Sequence, residues 1–309
     1  MEKTEATGGS TTCRYDLPDD ALRLIFSRMS VADQIRSSLV CNRWKTLLQE
    51  IISWDGLPWM LLYRWHIQGT VVKSVCKLYA PSEKKTYTLE DGIKGQEERG
   101  KFVEVGALAS KKGWVLFQRK NKVRAVPIFL FCPYTGEVID LPDLSKPACR
   151  ASFSCSPKSA GCVLFAFGFL VINGRGVVSI CRRGSDNQAW KTFEVDIIPY
   201  SYVRSVVYCN GSFYCLFDQG RLGAFSVATE QWDLLCNGNS EDFGWSPWSL
   251  TEFDGQLFTT RMIRPYKTFR FDFSGRIWVE EASHPGRAYW KLKAPNRHLR
   301  SVQIQPPKL

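Results

Sequence analysis

The sequence predicts an α+β chain in two parts: a small three-helix module at the N-terminus and an all-β, propeller-like body behind it. Three observations predict it. Helical apolar spacing is dense only between Asp16 and Leu48. From residue 70 onward, short β-type runs alternate with turn residues. Within that region Asn210-Gly211 and Asp254-Gly255 lie 44 residues apart, and Trp190, Trp232 and Trp278 lie 42 and 46 apart. A repeat of about 40–50 residues with four strands per unit is the signature of a β-propeller; a β-sandwich, which ranks second, shows no fixed period.

The helical module divides in three. Pro18 with Asp19 and Asp20 forms a helix start, with acids where the N-terminal dipole favours them. Leu22, Ile25, Phe26 and Met29 then follow the spacing of one helix face. Ser30-Val31-Ala32-Asp33 resembles a capping box and opens a second helix with Ile35, Leu39 and Val40 on its apolar side. Asn42 is placed to cap a third, which carries Trp44, Leu47 and Leu48. Fewer than about 40 residues do not usually hold three helices together alone, so the module is expected to lean on a partner or on the following domain.

The stretch Ile51 to Met60 breaks the helical pattern at Gly56 and Pro58 but stays apolar through Trp54 and Trp59, which predicts a packed junction rather than a flexible linker. Beyond it, Val71–Tyr79, Thr86–Leu89, Trp114–Gln118, Ile128–Phe131 and Val138–Leu141 read as strands. So do Val203–Tyr208 and Phe213–Phe217 around Asn210-Gly211, and Leu250–Phe253 and Leu257–Thr260 around Asp254-Gly255, two hairpins of one design. After each hairpin comes a further strand and then one bearing Trp232 or Trp278; Val138 and Tyr87 occupy the equivalent place in earlier units.

Composition limits the functional classes. With 44% hydrophobic and 23% charged residues over 309 positions, the chain is an ordinary globular protein with room for one small and one large domain. Eleven Trp and nineteen Phe favour a β-rich body. The longest apolar run, Cys162 to Ile172, has 11 residues, about half a membrane span, and reads as a buried strand pair. The leader MEKTEATGGSTT has no apolar core and is expected to be disordered, not secretory. With no secretory signal, the eleven cysteines, odd in number and without a C-x-x-C, read as reduced and buried, and an intracellular location, nuclear and/or cytoplasmic, is expected. Asn210-Gly211-Ser212 is then a turn and not a glycosylation site. The net charge of +11 is uneven: residues 1–50 hold seven basic and seven acidic residues, whereas 261–309 hold eleven basic against three acidic. With no nucleic-acid motif beside it, the basic cluster reads as a solvated surface and tail.

The motifs also carry a family resemblance. Leu17-Pro18, the Leu22–Phe26 helix face and Leu39-Val40-Cys41-Asn42-Arg43-Trp44 together resemble an F-box. Pro133-Tyr134-Thr135-Gly136-Glu137-Val138-Ile139-Asp140-Leu141-Pro142, Phe153–Pro157, Ile180–Gly184 leading to Trp190, Val206–Tyr214, and Phe269–Asp272 leading to Trp278 resemble the DUF295, kelch-like propeller of plant F-box proteins. The implied organisation is a leader at 1–13, an F-box at 14–52, the packed junction at 53–68, the propeller at 69–290 and a basic tail at 291–309. Two departures stand out. Cys132 replaces an Asn that the family commonly carries, and the segment that completes the ring in relatives is replaced by the basic Lys291–Leu309. About five units are expected, in a ring left incomplete at its C-terminal end.

The resemblance implies docking to a Skp-type adaptor of a cullin–RING (SCF) ubiquitin ligase through Leu17, Pro18, Leu22, Ile25, Leu39, Val40 and Trp44. Which of these face the adaptor and which face the module's own core is open at this stage. A propeller rim would hold an unidentified target, with Tyr134, Arg182, Arg183, Asp218, Arg264 and Tyr266 as candidates. No catalytic residue, cofactor or metal is expected. The three histidines, His66, His284 and His298, have no metal-ligand spacing, and nucleophile-elbow and phosphate-loop motifs are absent. The alternative is a non-degradative propeller that binds or inhibits a partner, which an incomplete ring would favour.

Overall fold

The computed structural model describes residues 17–29, 31–38, 40–51, 59–68, 71–81, 84–88, 102, 104–120, 124–169, 175–184, 189–197, 202–238, 243, 248–261, 265–282 and 300–304. The expected leader at 1–13 and residue 30 of the expected capping box lie outside them. Two compact units are built on Met1–Asp55 and Gly56–Pro307.

The first unit has three helices, α1 Asp19–Arg28, α2 Val31–Ser38 and α3 Asn42–Ile51. Pro18 precedes α1 in extended geometry, and its carbonyl accepts the Leu22 N–H at 3.1 Å, so the helix starts where its sequence signal stands. Asn42 is the first residue of α3 and not its cap: the Cys41 carbonyl accepts the first helical bond, from the Lys45 N–H at 3.0 Å. Leu22, Phe26, Leu47 and Leu48 form a small buried core, with Met29 and Trp44 half-buried against it. Phe26 meets Trp44 edge-on at 5.2 Å. Polar ties close the unit. Arg43 bonds Asp19 at 2.7 Å and the Leu17 carbonyl at 2.6 Å, Arg23 bonds Glu50 at 2.8 Å, and the buried Gln34 amide donates to the Phe26 carbonyl at 2.7 Å. The Phe26 carbonyl also accepts the Met29 N–H at 3.1 Å, so the Gln34 amide is its second donor at the end of α1.

The second unit is a five-bladed propeller. Its strands are β1 Trp59–Gln68, β2 Val71–Ala80, β3 Lys85–Thr88, β4 Val105–Lys111, β5 Trp114–Arg119, β6 Ile128–Cys132, β7 Glu137–Asp140, β8 Arg150–Phe153, β9 Val163–Phe169 and β10 Gly176–Arg182. There follow β11 Lys191–Val195, β12 Val203–Cys209, β13 Ser212–Phe217, β14 Leu222–Ser226, β15 Trp232–Cys236, β16 Trp248–Phe253, β17 Gln256–Arg261, β18 Thr268–Asp272, β19 Ile277–Glu281 and β20 Arg300–Ile304. Four antiparallel sheets take their strands consecutively: β4 to β7, β8 to β11, β12 to β15 and β16 to β19. The remaining sheet has the order β20-β1-β2-β3. Innermost strands neighbour one another around the ring, β20 beside β4, β4 beside β8, β8 beside β12 and β12 beside β16.

That last sheet corrects three expectations. The ring is not left incomplete, because β20 pairs with β1 from Trp59↔Ile304 to Tyr63↔Arg300 and supplies its blade with an innermost strand. Residues 300–304 are therefore sheet, not basic tail. Residues 59–68 are β1, not junction, so the body begins ten residues before the expected position 69; residues 53–58 of the expected junction lie outside the described set. The apolar run that opens at Cys162 forms one strand, β9, rather than a strand pair, within its described part. Central strands such as β5, β6, β9 and β13 are buried along nearly their whole length because neighbouring blades cover both faces, so alternation disappears.

Two devices repeat from blade to blade. The turns Lys112-Gly113, Asn210-Gly211 and Asp254-Gly255 have positive φ at both residues (48° and 81°, 44° and 83°, 49° and 70°), the two-residue hairpin geometry that matches strand twist. Each also joins an innermost strand to its neighbour. Around the perimeter, indole N–H groups clamp one blade to the one before it. Trp190 donates to the Pro142 carbonyl at 2.6 Å, Trp232 to Asp196 at 3.1 Å and Trp278 to Gly220 at 2.6 Å. The same three rings pack against the apolar clusters that fill successive blade interfaces.

Two outcomes are expected. Ending the chain after residue 299 leaves the β1 edge unpaired, and should broaden the thermal transition seen by circular dichroism and drive association in size-exclusion chromatography; an unchanged monomeric transition would contradict the closure. Trp278→Phe keeps the ring but removes the donor to Gly220, and should cost about 1–3 kcal/mol in denaturant unfolding.

Candidate functional surfaces

In the helical unit the core is complete without several of its apolar residues. Leu17 is 43% exposed, Leu24 57%, Ile25 47% and Val40 61%. Pro18 is exposed as well. Leu22, expected among the contact residues, is instead 2% exposed and belongs to the core, since it sits on the same face of α1 as Phe26. Trp44 is half-buried beside Phe26, and its indole N–H is buried with no acceptor among the described residues. Leu39 lies outside the described residues. Leu24 was absent from the expected set because it lies well off the apolar stripe of α1; exposure on a module this small is what marks it. The arrangement offers four aliphatic side chains from the start of α1, its outer face and the α2–α3 turn, with no nucleophile or acid–base pair among them.

The propeller candidates do not converge. Strand directions put the hairpin turns and the third-to-outer connections on one face, here the turn face, and the remaining loops on the opposite, loop face. Tyr134, Arg182 and Arg183 belong to the first, and Asp218 and Tyr266 to the second; Arg264 lies outside the described residues. Tyr134 is structural: its hydroxyl is buried without a partner among the described residues, its ring lies 5.7 Å from Trp59, and burial raises its phenol well above the usual range. Arg182 is exposed but engaged, donating to the Val227 carbonyl at 2.8 Å and to Glu230 at 3.3 Å. Lys191 shares Glu230, and these donors, Lys191 first, hold its carboxyl below the ordinary range. Arg183 donates to the Pro157 carbonyl at 3.3 Å. Asp218 is buried, paired with Arg204, and accepts the Tyr202 N–H at 3.1 Å. Tyr266 is 49% exposed.

At the hairpin ends of the innermost strands, on the turn face, side chains from four blades meet. Lys111, the last residue of β4, is half-buried and donates to the Ser154 carbonyl at 3.1 Å. Its ammonium lies 5.3 Å from the ring centre of Tyr208 on β12 and within electrostatic reach of Glu252 on β16. Cys155, Cys162 and Cys209 surround it, each thiol donating to a backbone carbonyl, of Ser156, Cys155 and Gly255 respectively. Burial pushes Cys162 and Cys209 up to about 11, so both stay neutral thiols. Lys111 had no sequence signal, because a lysine beside a glycine in a hairpin reads as a solvated turn. Among the described residues no three His, Cys, Asp or Glu side chains converge as a metal site, and no helix is long and apolar enough to cross a membrane.

Comparison with known proteins agrees with both units. Residues 15–55 match the F-box domain model and residues 78–288 match the KIB1-4 beta-propeller model. The chain is 29% identical to F-box/kelch-repeat protein At3g18720 of Arabidopsis thaliana, over 85% of its own length and 70% of that protein. It is 26% identical to F-box protein At3g56470 of the same plant, over 88% of its own length and 70% of that protein. The expected resemblance therefore stands, and with a propeller match over residues 78–288 behind an F-box match over residues 15–55, the chain belongs to the F-box proteins that carry a KIB1-4 β-propeller.

Proposed function

We propose that the chain is the target-recognition subunit of an SCF-type cullin–RING ubiquitin ligase, with the F-box docking a Skp-type adaptor and the propeller holding the target. The observation that carries this reading is the mismatch within the helical unit. Leu22, Phe26, Leu47 and Leu48 satisfy its core, while Leu17, Leu24, Ile25 and Val40 remain in water. So many aliphatic side chains on so small a unit are explained by a partner groove that covers them. Each half-exposed side chain gains on the order of 1 kcal/mol when the remainder is buried.

The role is non-catalytic: the adaptor contributes proximity, raising the effective concentration of the target's lysines near a charged ubiquitin carrier. An intracellular location, nuclear and/or cytoplasmic, goes with this role and with the free thiols of the described cysteines. The reading as a non-degradative binding protein drew its support from an incomplete ring, and β20 removes that support.

The test is co-purification and calorimetry with a Skp-type adaptor. Wild type should bind, and Ile25→Asp/Val40→Asp should weaken binding roughly hundredfold while helical circular dichroism is kept, because both side chains are exposed. Leu22→Ala should instead destabilise the helical unit, as core truncation does, by about 2–5 kcal/mol in unfolding free energy. A wild type that fails to bind, or a double variant that binds equally well, would refute the proposal.

A further inference from the structure

We infer that the turn-face cluster in which side chains of four blades converge on Lys111 is a binding site for a carboxylate side chain, an Asp or Glu of a protein segment, with Lys111 as the cation that receives it. The inference builds on the reading of the propeller as the target-binding end and supplies the chemistry of that site.

Four observations carry it. Lys111 extends from β4 past the neighbouring blade to the Tyr208 ring, so its ammonium lies among side chains of four blades. Among the described residues it forms hydrogen bonds only to the Ser154 carbonyl, and no carboxylate lies within ion-pair distance. Three other turn-face cations are carboxylate-paired: Arg182 and Lys191 share Glu230, and Lys158 bonds Glu137 at 2.6 Å; the neighbouring Lys112 differs from Lys111 in being exposed. A half-buried cation is ordinarily paired; this one keeps donor capacity unused, since an ammonium carries three N–H groups. Finally, residues 51–309 hold 34 basic and 23 acidic residues, so the whole net charge of +11 belongs to the side of the chain that holds the propeller and draws an acidic segment toward it.

The surroundings narrow the ligand. Burial lowers the Lys111 ammonium from its usual range and the Glu252 carboxylate opposes that shift, as expected in a cluster walled by neutral thiols and an aromatic ring. Two lysines, Lys111 and its neighbour Lys112, beside the one carboxylate of Glu252 leave a single net positive charge, which matches a singly charged acceptor. A phosphate dianion is usually met by clustered arginines, and a nucleic-acid strand by a basic groove with stacking rings.

Anisotropy titration of the full chain with a fluorescein-labelled Gly-Glu-Glu-Glu-Gly peptide tests this, with the Gln analogue as neutral control and a single-stranded RNA as phosphate control. Saturable binding of the glutamate peptide is expected, with little binding of either control and about tenfold loss in Lys111→Met. Glu252→Gln should change affinity in the opposite direction, tightening it about twofold or more. Its side chain is exposed, and its amide oxygen can still accept the Gly255 N–H, so folding is not at stake and this variant decides alone should Lys111→Met unfold. No binding, equal binding by a folded Lys111→Met, preference for RNA, or a Glu252→Gln variant that binds no tighter would each overturn the inference. No adaptor is present in the assay, so its outcome is separate from that of the ligase reading.

Discussion

The pairing of β20 with β1 is the constraint on which the propeller depends. Four blades draw their strands from consecutive chain, and a ring assembled only that way would leave one sheet without its innermost strand and β1 with an open edge. Bringing Ile304 to Trp59 joins residues 245 positions apart. The entropy of such closure grows only slowly with length, and the backbone bonds of a five-residue pairing, together with the blade contacts they lock in, offset it. Local hairpins with preset turns form independently of that step, so the ring assembles from blades that are individually short-range.

Much of this was legible in the sequence because it rests on residue-specific chemistry. Positive φ at two successive turn residues selects Asn-Gly and Asp-Gly, so two hairpins were visible; the third, Lys112-Gly113, was hidden because lysine gives no such signal and β4 (VGALASK) is built from small residues. The Trp repeat was visible as spacing, and the structure supplies its reason: an indole N–H reaching a carbonyl of the preceding blade. Closure was not legible. β20 joins its sheet through backbone groups, which any residue except proline supplies, and Arg-Ser-Val-Gln-Ile resembles an exposed tail. The aromatic start of β1 looked like a packed junction for the same reason: apolar content signals burial but not what covers it.

The candidate surfaces follow the same division. Helical spacing found the apolar side of α1 but could not tell core from contact, so Leu22 was grouped with Ile25 although only Ile25 reaches water. Turn position suggested surface roles for Tyr134 and Asp218, yet both are drawn inward, one packed against Trp59, the other paired with Arg204. Lys111 went the other way: an unremarked lysine in sequence is half-buried among side chains of four blades once the blades converge. On the proposed reading there is a division of labour, in which the helical unit offers apolar surface to the adaptor and the propeller offers a charge to the target.

Hydrogen exchange of the full chain, measured free and with a Skp-type adaptor, tests that division most directly. New protection confined to peptides covering Leu17–Ile25 and Val40 and their immediate neighbours, with exchange at the Lys111, Tyr208 and Glu252 strands unchanged, is the predicted result. Absence of new protection in the helical unit, or protection spreading to the Lys111 cluster, would contradict it.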